Sequence, residues 1–223
     1  RVALLEAVRE AGFEPVDLGL VWKSIHGRAP EFRVSVRRPD DLLVFDLGGG
    51  SLANYASLKL PVNLLDKVFF SHLHADHVGD VPTLVWSMAK GGRRDPVEVW
   101  GPGGEVPELG TRSYAEHLTL AHAWDTASLN GHPGQSGAQM EVTEVTFETT
   151  STVYARNGVR ISSFPVIHIL NGSVGYRLDY NGLSVVFSGD TRPCRHVVQA
   201  AEGADLLIHD GAGRAGAASH AAA

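Results

Sequence analysis

"FFSHLHADHVGD", residues 69–80, places three histidines and two aspartates within twelve positions, directly behind the strand-like run "KVFF" (67–70). Side chains two apart on an extended backbone share a side, so His72 and His74 project together, whereas Asp76 and His77 fall past the bend. That distribution suits two neighbouring cations better than one. Imidazole nitrogen with a little carboxylate oxygen favours zinc, and the donor set leaves iron and manganese open. The plain alternative is a solvated histidine loop with incidental spacing, but four donors at a strand end are far more specific than a lone His-x-His pair.

The chain around this cluster has 223 residues, 43% of them hydrophobic. That is enough for one large domain burying roughly 70–75% of its unfolded surface. The net charge is −6 and the 19 lysines and arginines are scattered. Nothing resembles the basic stripe that grips a phosphate backbone, so nucleic acid is disfavoured as a partner. Cys194 is the one cysteine, which excludes an intramolecular disulfide and leaves the compartment open. No apolar run approaches the length of a membrane span. Localisation is therefore expected to be soluble, either cytoplasmic or exported, since a start at Arg1 leaves room for a removed leader.

Along the chain, "VALLEAVREA" (2–11) repeats apolar residues at helical spacing and stops at Gly12. Strands are predicted at 32–36 and 42–48, with Arg37, Arg38, Pro39 and Asp40 forming the turn between them. The stretch 48–60 reads as a glycine loop capped by Ser51 that opens into a short helix. It is not a phosphate loop, because no lysine and Ser/Thr pair follows at the required spacing. Helices are predicted at 81–89, 113–124 and 195–202. A strand is expected at 96–101, and 125–139 is read as an exposed loop or lid carrying His132. From 140 onward β signals dominate, with Asn181-Gly182 as a strong hairpin turn, and a last strand is expected at 205–210. This order predicts an α+β fold in which two sheets pack together with helices outside. One domain is expected over 1–210. Ten of the thirteen residues from Gly211 to Ala223 are glycine or alanine, so that tail supplies little core.

His72-x-His74-x-Asp76-His77 resembles the signature of the metallo-β-lactamase fold superfamily. Further resemblance lies in "LLVFDLGGG" (42–50), "GPGG" (101–104), "SFPVIHILNGSVGYRL" (163–178) and "FSGDTRPC" (187–194), the last three similar to the ribonuclease Z and arylsulfatase-like branch. The resemblance implies a four-layer αββα sandwich with a two-metal site at one edge. By the same resemblance His72, His74 and His168 would hold one metal, Asp76 and His77 the other, and Asp190 would bridge them. The remaining ligand would be His220. His209 and Asp210 stand where that branch reads His-Glu-Ala-Thr, which implies a part in proton transfer, although Ala-Thr is absent here.

Two zinc ions per chain would bring a shared water to ionise near neutral pH. Asp76 is placed to orient the resulting nucleophile, and Asp210 with His209 or His220 to protonate the leaving group. The expected activity is hydrolysis of an ester-type bond in a phosphodiester, a sulfate ester or a lactone. Three further readings stay open: a ribonuclease Z-type tRNA 3′-endonuclease, a β-lactamase, and a non-catalytic metal-binding protein. Homodimerisation is common in the family, although no interface is legible. Trp86, Trp100 and Trp124 are expected in the core or a pocket wall, Trp22 and His26 near the entrance, Cys194 as a small packed residue, and His117, His122 and His132 at the surface.

Overall fold

The computed structural model describes residues 34–38, 41–57 and 65–209. The expected helix at 2–11, Trp22, His26, Asp210 and the tail with His220 lie outside the described residues. Five strands form one sheet in the order β1 (Val34–Arg38), β2 (Asp41–Phe45), β3 (Lys67–Phe69), β4 (Val97–Pro102) and β5 (Met140–Val145). A second sheet runs β10 (Leu206–Ile208), β9 (Leu183–Phe187), β8 (Val174–Tyr180), β7 (Val159–Pro165) and β6 (Ser151–Arg156). The first hairpin is tighter than expected, because β1 continues through Arg37 and Arg38 and Arg38 pairs with Asp41.

Strands β2 to β5 are mutually parallel. Parallel neighbours need crossover connections, which helical segments supply. These are α1 (Ser51–Ser57), α2 (Ala75–Val78), a π-helical turn Thr83–Ser87 running into α3 (Met88–Lys90), and the pair α4 (Thr111–Ala121) and α5 (Ala123–Ser128). Ser51 opens α1 differently from a usual cap, since its hydroxyl donates back to Gly48 O at 2.7 Å. Strands β6 to β9 form an antiparallel meander, and β10 returns parallel to β9 after α6 (Arg195–Ala201). Asn181 and Gly182, with φ of 48° and 79°, make the predicted turn. Asn157 and Gly158 repeat it between β6 and β7 with φ of 52° and 77°, the double left-handed pair that two-residue hairpins favour.

Strand alternation sorts the core into layers. Leu42 and Val44 face outward to Leu52, Leu84 and Trp86, while Leu43, Phe45, Phe69 and Trp100 face inward to Ile161, Tyr176, Leu178 and Phe187 of the second sheet. Phe69 stacks on Trp100 with centroids 4.6 Å apart, so truncating Phe69 to alanine would cost about 3–5 kcal/mol. Val197 of α6 covers the outer face of the second sheet against Phe164 and Val186. Helix, sheet, sheet and helix thus lie in sequence, as the αββα expectation requires. Cys194 packs at the edge of that last cluster.

Two expectations are corrected. Residues 125–139 are mostly exposed, as expected, but are not loop throughout: α5 and a 3-10 turn at Ser136–Ala138 occupy part of the stretch, and Gly134 and Gly137 pack onto the backbones of Ala89 and Arg93. Buried Arg93 fixes the packing by donating to Leu65 O, Val85 O and Gly137 O. Trp124 is 88% exposed rather than in the core, while Trp86 and Trp100 are buried. The helix breaks at His122, whose ring stacks on Trp86 at 4.4 Å, and Trp124 leaves on the far side.

Candidate metal centre

β2 and β3 are parallel neighbours, so both end at one edge of the first sheet. β7 and β9 end at the matching edge of the second, and Ser71 O accepts the Val174 N–H at 2.9 Å to join the two edges. Four loops converge there. They carry Asp46, the run from Ser71 to His77, His168 and Asp190.

Two groups of donor atoms form. His72, His74 and His168 make one, and His72, His77 and Asp190 make the other, with all ligand atoms in each group within 4.8 Å of one another. His72 Nε2 lies 2.9 Å from His74 Nδ1, which lies 3.1 Å from His168 Nε2. A tetrahedral zinc with bonds of 2.0–2.1 Å has ligand atoms about 3.3 Å apart. Converging imidazole nitrogens at nearly that spacing fit a cation of this size. Asp190 Oδ1 is 3.3 Å from His77 Nε2. Asp76 lies outside both groups, 3.8 Å from His77 Nε2, with its side chain 40% exposed. Asp190, expected as the bridge, falls in the second group only, and His72 is common to both, although its Nε2 lone pair can serve one cation at a time.

Tautomers are set from behind by Asp46, which the sequence reading overlooked. It sits at the end of β2 in a left-handed conformation, φ 56°, and is buried. Its Oδ1 accepts the Ser71 N–H, and its Oδ2 accepts the Ser71 hydroxyl at 2.7 Å and faces His77 Nδ1 at 2.7 Å. The hydroxyl has one proton and gives it to Asp46, so His72 Nδ1, 3.0 Å from Ser71 Oγ, must itself be the donor there. Both histidines therefore turn Nε2 toward the cluster, the arrangement by which carboxylate-backed imidazoles are oriented for metals. The available signal was an aspartate at a strand end just before a glycine run, "FDLGGG".

Electrostatics follow this geometry. Burial would lower the pKa of His77, but the charge of Asp46 with the nearby Asp190 outweighs it and raises the value to about 11. His72 is pushed down to about 4, by burial first and then by the neighbouring His77. Burial works against ionisation of Asp190, yet His77 beside it holds the carboxyl below its ordinary value. The second group thus pairs a carboxylate with an imidazole whose Nε2 proton a cation would displace.

Of the other predicted residues, His209 is exposed just beyond β10, whose Ile208 pairs with Phe187 and so lies near the strand end that leads to Asp190. His117 and His132 are exposed and distant in the chain from the converging loops. Gly49 approaches Gly79, where an added Cβ would sit 3.2 Å from Gly49 N.

Comparison with known proteins addresses the family and the fold. The family described as beta-lactamase superfamily domain matches residues 44–221. The ribonuclease Z of Methanosarcina acetivorans is 29% identical over 214 residues, covering 80% of this chain and 68% of the relative. That of Methanothermobacter thermautotrophicus is 25% identical over 224 residues, covering 85% and 71%. Among solved structures, the short form of human tRNase Z superposes with a TM-score of 0.62 at 20% identity, covering 88% of this chain and 76% of that one.

Proposed function

Because the chain belongs to the beta-lactamase superfamily and is a metal-dependent hydrolase of metallo-β-lactamase fold, we propose that it cleaves phosphodiester bonds at a pair of zinc ions. The observation that carries the proposal is the pair of overlapping donor groups, His72, His74, His168 and His72, His77, Asp190. A bound pair of divalent cations would supply an acidified water and stabilise charge on the attacking and leaving oxygens of an in-line displacement.

The chain's own groups do the rest. His72 and His77 keep their Nε2 atoms aimed inward because Ser71 and Asp46 occupy the other ring nitrogens. Asp76, partly exposed beside His77, would accept a hydrogen bond from a water at the site and so orient it. His209 sits at the same strand ends, and with Asp210 it delivers the proton that the departing alkoxide needs. By the family resemblance His220 would be the last ligand of the second metal. Iron or manganese fits the same nitrogen and carboxylate donors, and zinc fits the spacing of the first group.

RNA is the second reading of the substrate. Relatives named ribonuclease Z favour it, while the net charge of −6 favours a smaller ester. Turnover of bis-p-nitrophenyl phosphate and of a precursor tRNA with a 3′ trailer, each with zinc and with a chelator, separates the two. The proposal expects chelator-sensitive diester cleavage, abolished in Asp76→Ala without a change in thermal unfolding. Cleavage confined to a sulfate ester, a lactone or nitrocefin would overturn the phosphodiester assignment. RNA cleavage weakened steeply by salt would select the second reading.

A further inference from the structure

Asp190 is held between two anchors. On one side Gly189, left-handed at φ 57°, lies so close to Ser71 that an added Cβ would come 2.5 Å from the Ser71 Cβ. On the other side Ile167 offers both of its backbone groups to the residues after Asp190. Its N–H donates to Thr191 Oγ1 at 3.1 Å, and its carbonyl accepts the Arg192 N–H at 2.7 Å. The Thr191 hydroxyl proton has Arg192 O at 2.8 Å and Ile167 O at 3.3 Å, so the hydroxyl receives from one loop while donating within the other.

His168 follows Ile167 and Asp190 precedes Thr191. The clasp is therefore flanked directly by the histidine that belongs only to the first donor group and the carboxylate that belongs only to the second. The apolar side chains at the tip of the His168 loop give it little packing, since Ile167, Ile169 and Leu170 are 49, 73 and 59% exposed. Across the base of the loop, Val166 N–H reaches Ser173 O at a long 3.4 Å. Hydrogen bonding must supply what apolar burial does not.

We propose that Thr191 is a positioning residue that couples the two donor groups, so that a cation held by one orders the loop that completes the other. The inference rests on the reading of these groups as two metal sites. It is independent of which ester is cleaved.

The test is zinc binding to metal-stripped protein, by competition with a chromophoric chelator, for wild type, Thr191→Val and Thr191→Ser. Valine keeps the branched shape and removes the acceptor for Ile167 N–H, whereas serine keeps the hydroxyl. The expected result is cooperative uptake in wild type, affinity about 10-fold or more weaker in the valine variant with cooperativity lost, and recovery in the serine variant. Cobalt substitution adds a spectroscopic reading, with ligand-field bands changed by valine and restored by serine. Hydrogen exchange at the Ile167 amide needs no variant, and the proposal expects protection in the zinc-loaded wild type. Unchanged zinc affinity in the valine variant, or an Ile167 amide exchanging like a free loop amide, would overturn the role of Thr191 while leaving the metal sites standing. Absence of zinc binding in wild type would overturn both.

Discussion

His77 Nδ1 stands 2.7 Å from Asp46 Oδ2, across 31 residues of chain, and the same oxygen accepts the Ser71 hydroxyl. One buried carboxylate thereby fixes the ring orientation of His77 directly and that of His72 through Ser71. Asp46→Ala should lower zinc affinity about 10–100-fold, because both imidazoles lose the partner that sets their tautomer. Chelator competition measures this directly. Wild-type affinity in the variant would mean that the rings are held by packing alone.

Gly189 supplies the close approach that brings the Asp190 loop against Ser71. Gly189→Ala meets both a left-handed φ and a Cβ contact too short to exist, so it should destabilise the fold by about 1–3 kcal/mol. Zinc occupancy on the Asp190 side should fall with it. Urea unfolding of the metal-free variant checks the first effect, and metal content the second.

Alkaline pH should weaken the fold through its tyrosines. Burial pushes Tyr114 up to about 12, and burial followed by the charge of Asp46 raises Tyr176 well above its ordinary value. A phenol whose pKa is raised in the folded state favours folding while it is protonated. Its contribution is whole below pH 10, the unfolded value, and is lost as pH rises toward 12. Ultraviolet titration of the native chain should leave Tyr114 and Tyr176 un-ionised at about pH 11, beyond the ordinary phenol range, while all tyrosines in urea titrate near the ordinary phenol value of about 10. Simultaneous ionisation of every tyrosine in the folded protein would contradict this.

Local signals carried much of the architecture. "KVFF" and "LSVVF" read as strands from their apolar β-formers, Asn181-Gly182 marked its hairpin, and the His72 to His77 run pointed to a cluster of metal-donor side chains. What escaped was set by distant partners. The run "LLVFDLG" reads as one strand, but Asp46 turns left-handed to reach Ser71 and His77, a demand made by residues 25 and 31 positions away. The polar stretch 125–139 reads as loop throughout, yet Gly134 and Gly137 are needed for backbone contact with Ala89 and Arg93. Trp124 fits a helical apolar pattern, and only the break at His122 turns it into solvent. The role of His72 in both donor groups is likewise a product of convergence between the two sheets, which spacing along one loop does not encode.

The central claim is a two-metal centre at the two donor groups, and metal content per chain in purified wild type, His168→Ala and Asp190→Ala tests it most directly. Unfolding curves alongside would establish that each variant is folded. The account predicts close to two zinc equivalents in wild type, close to one in His168→Ala, which disrupts the first group, and close to one in Asp190→Ala, which disrupts the second. One equivalent or fewer in wild type, or two equivalents retained in either variant, would contradict it.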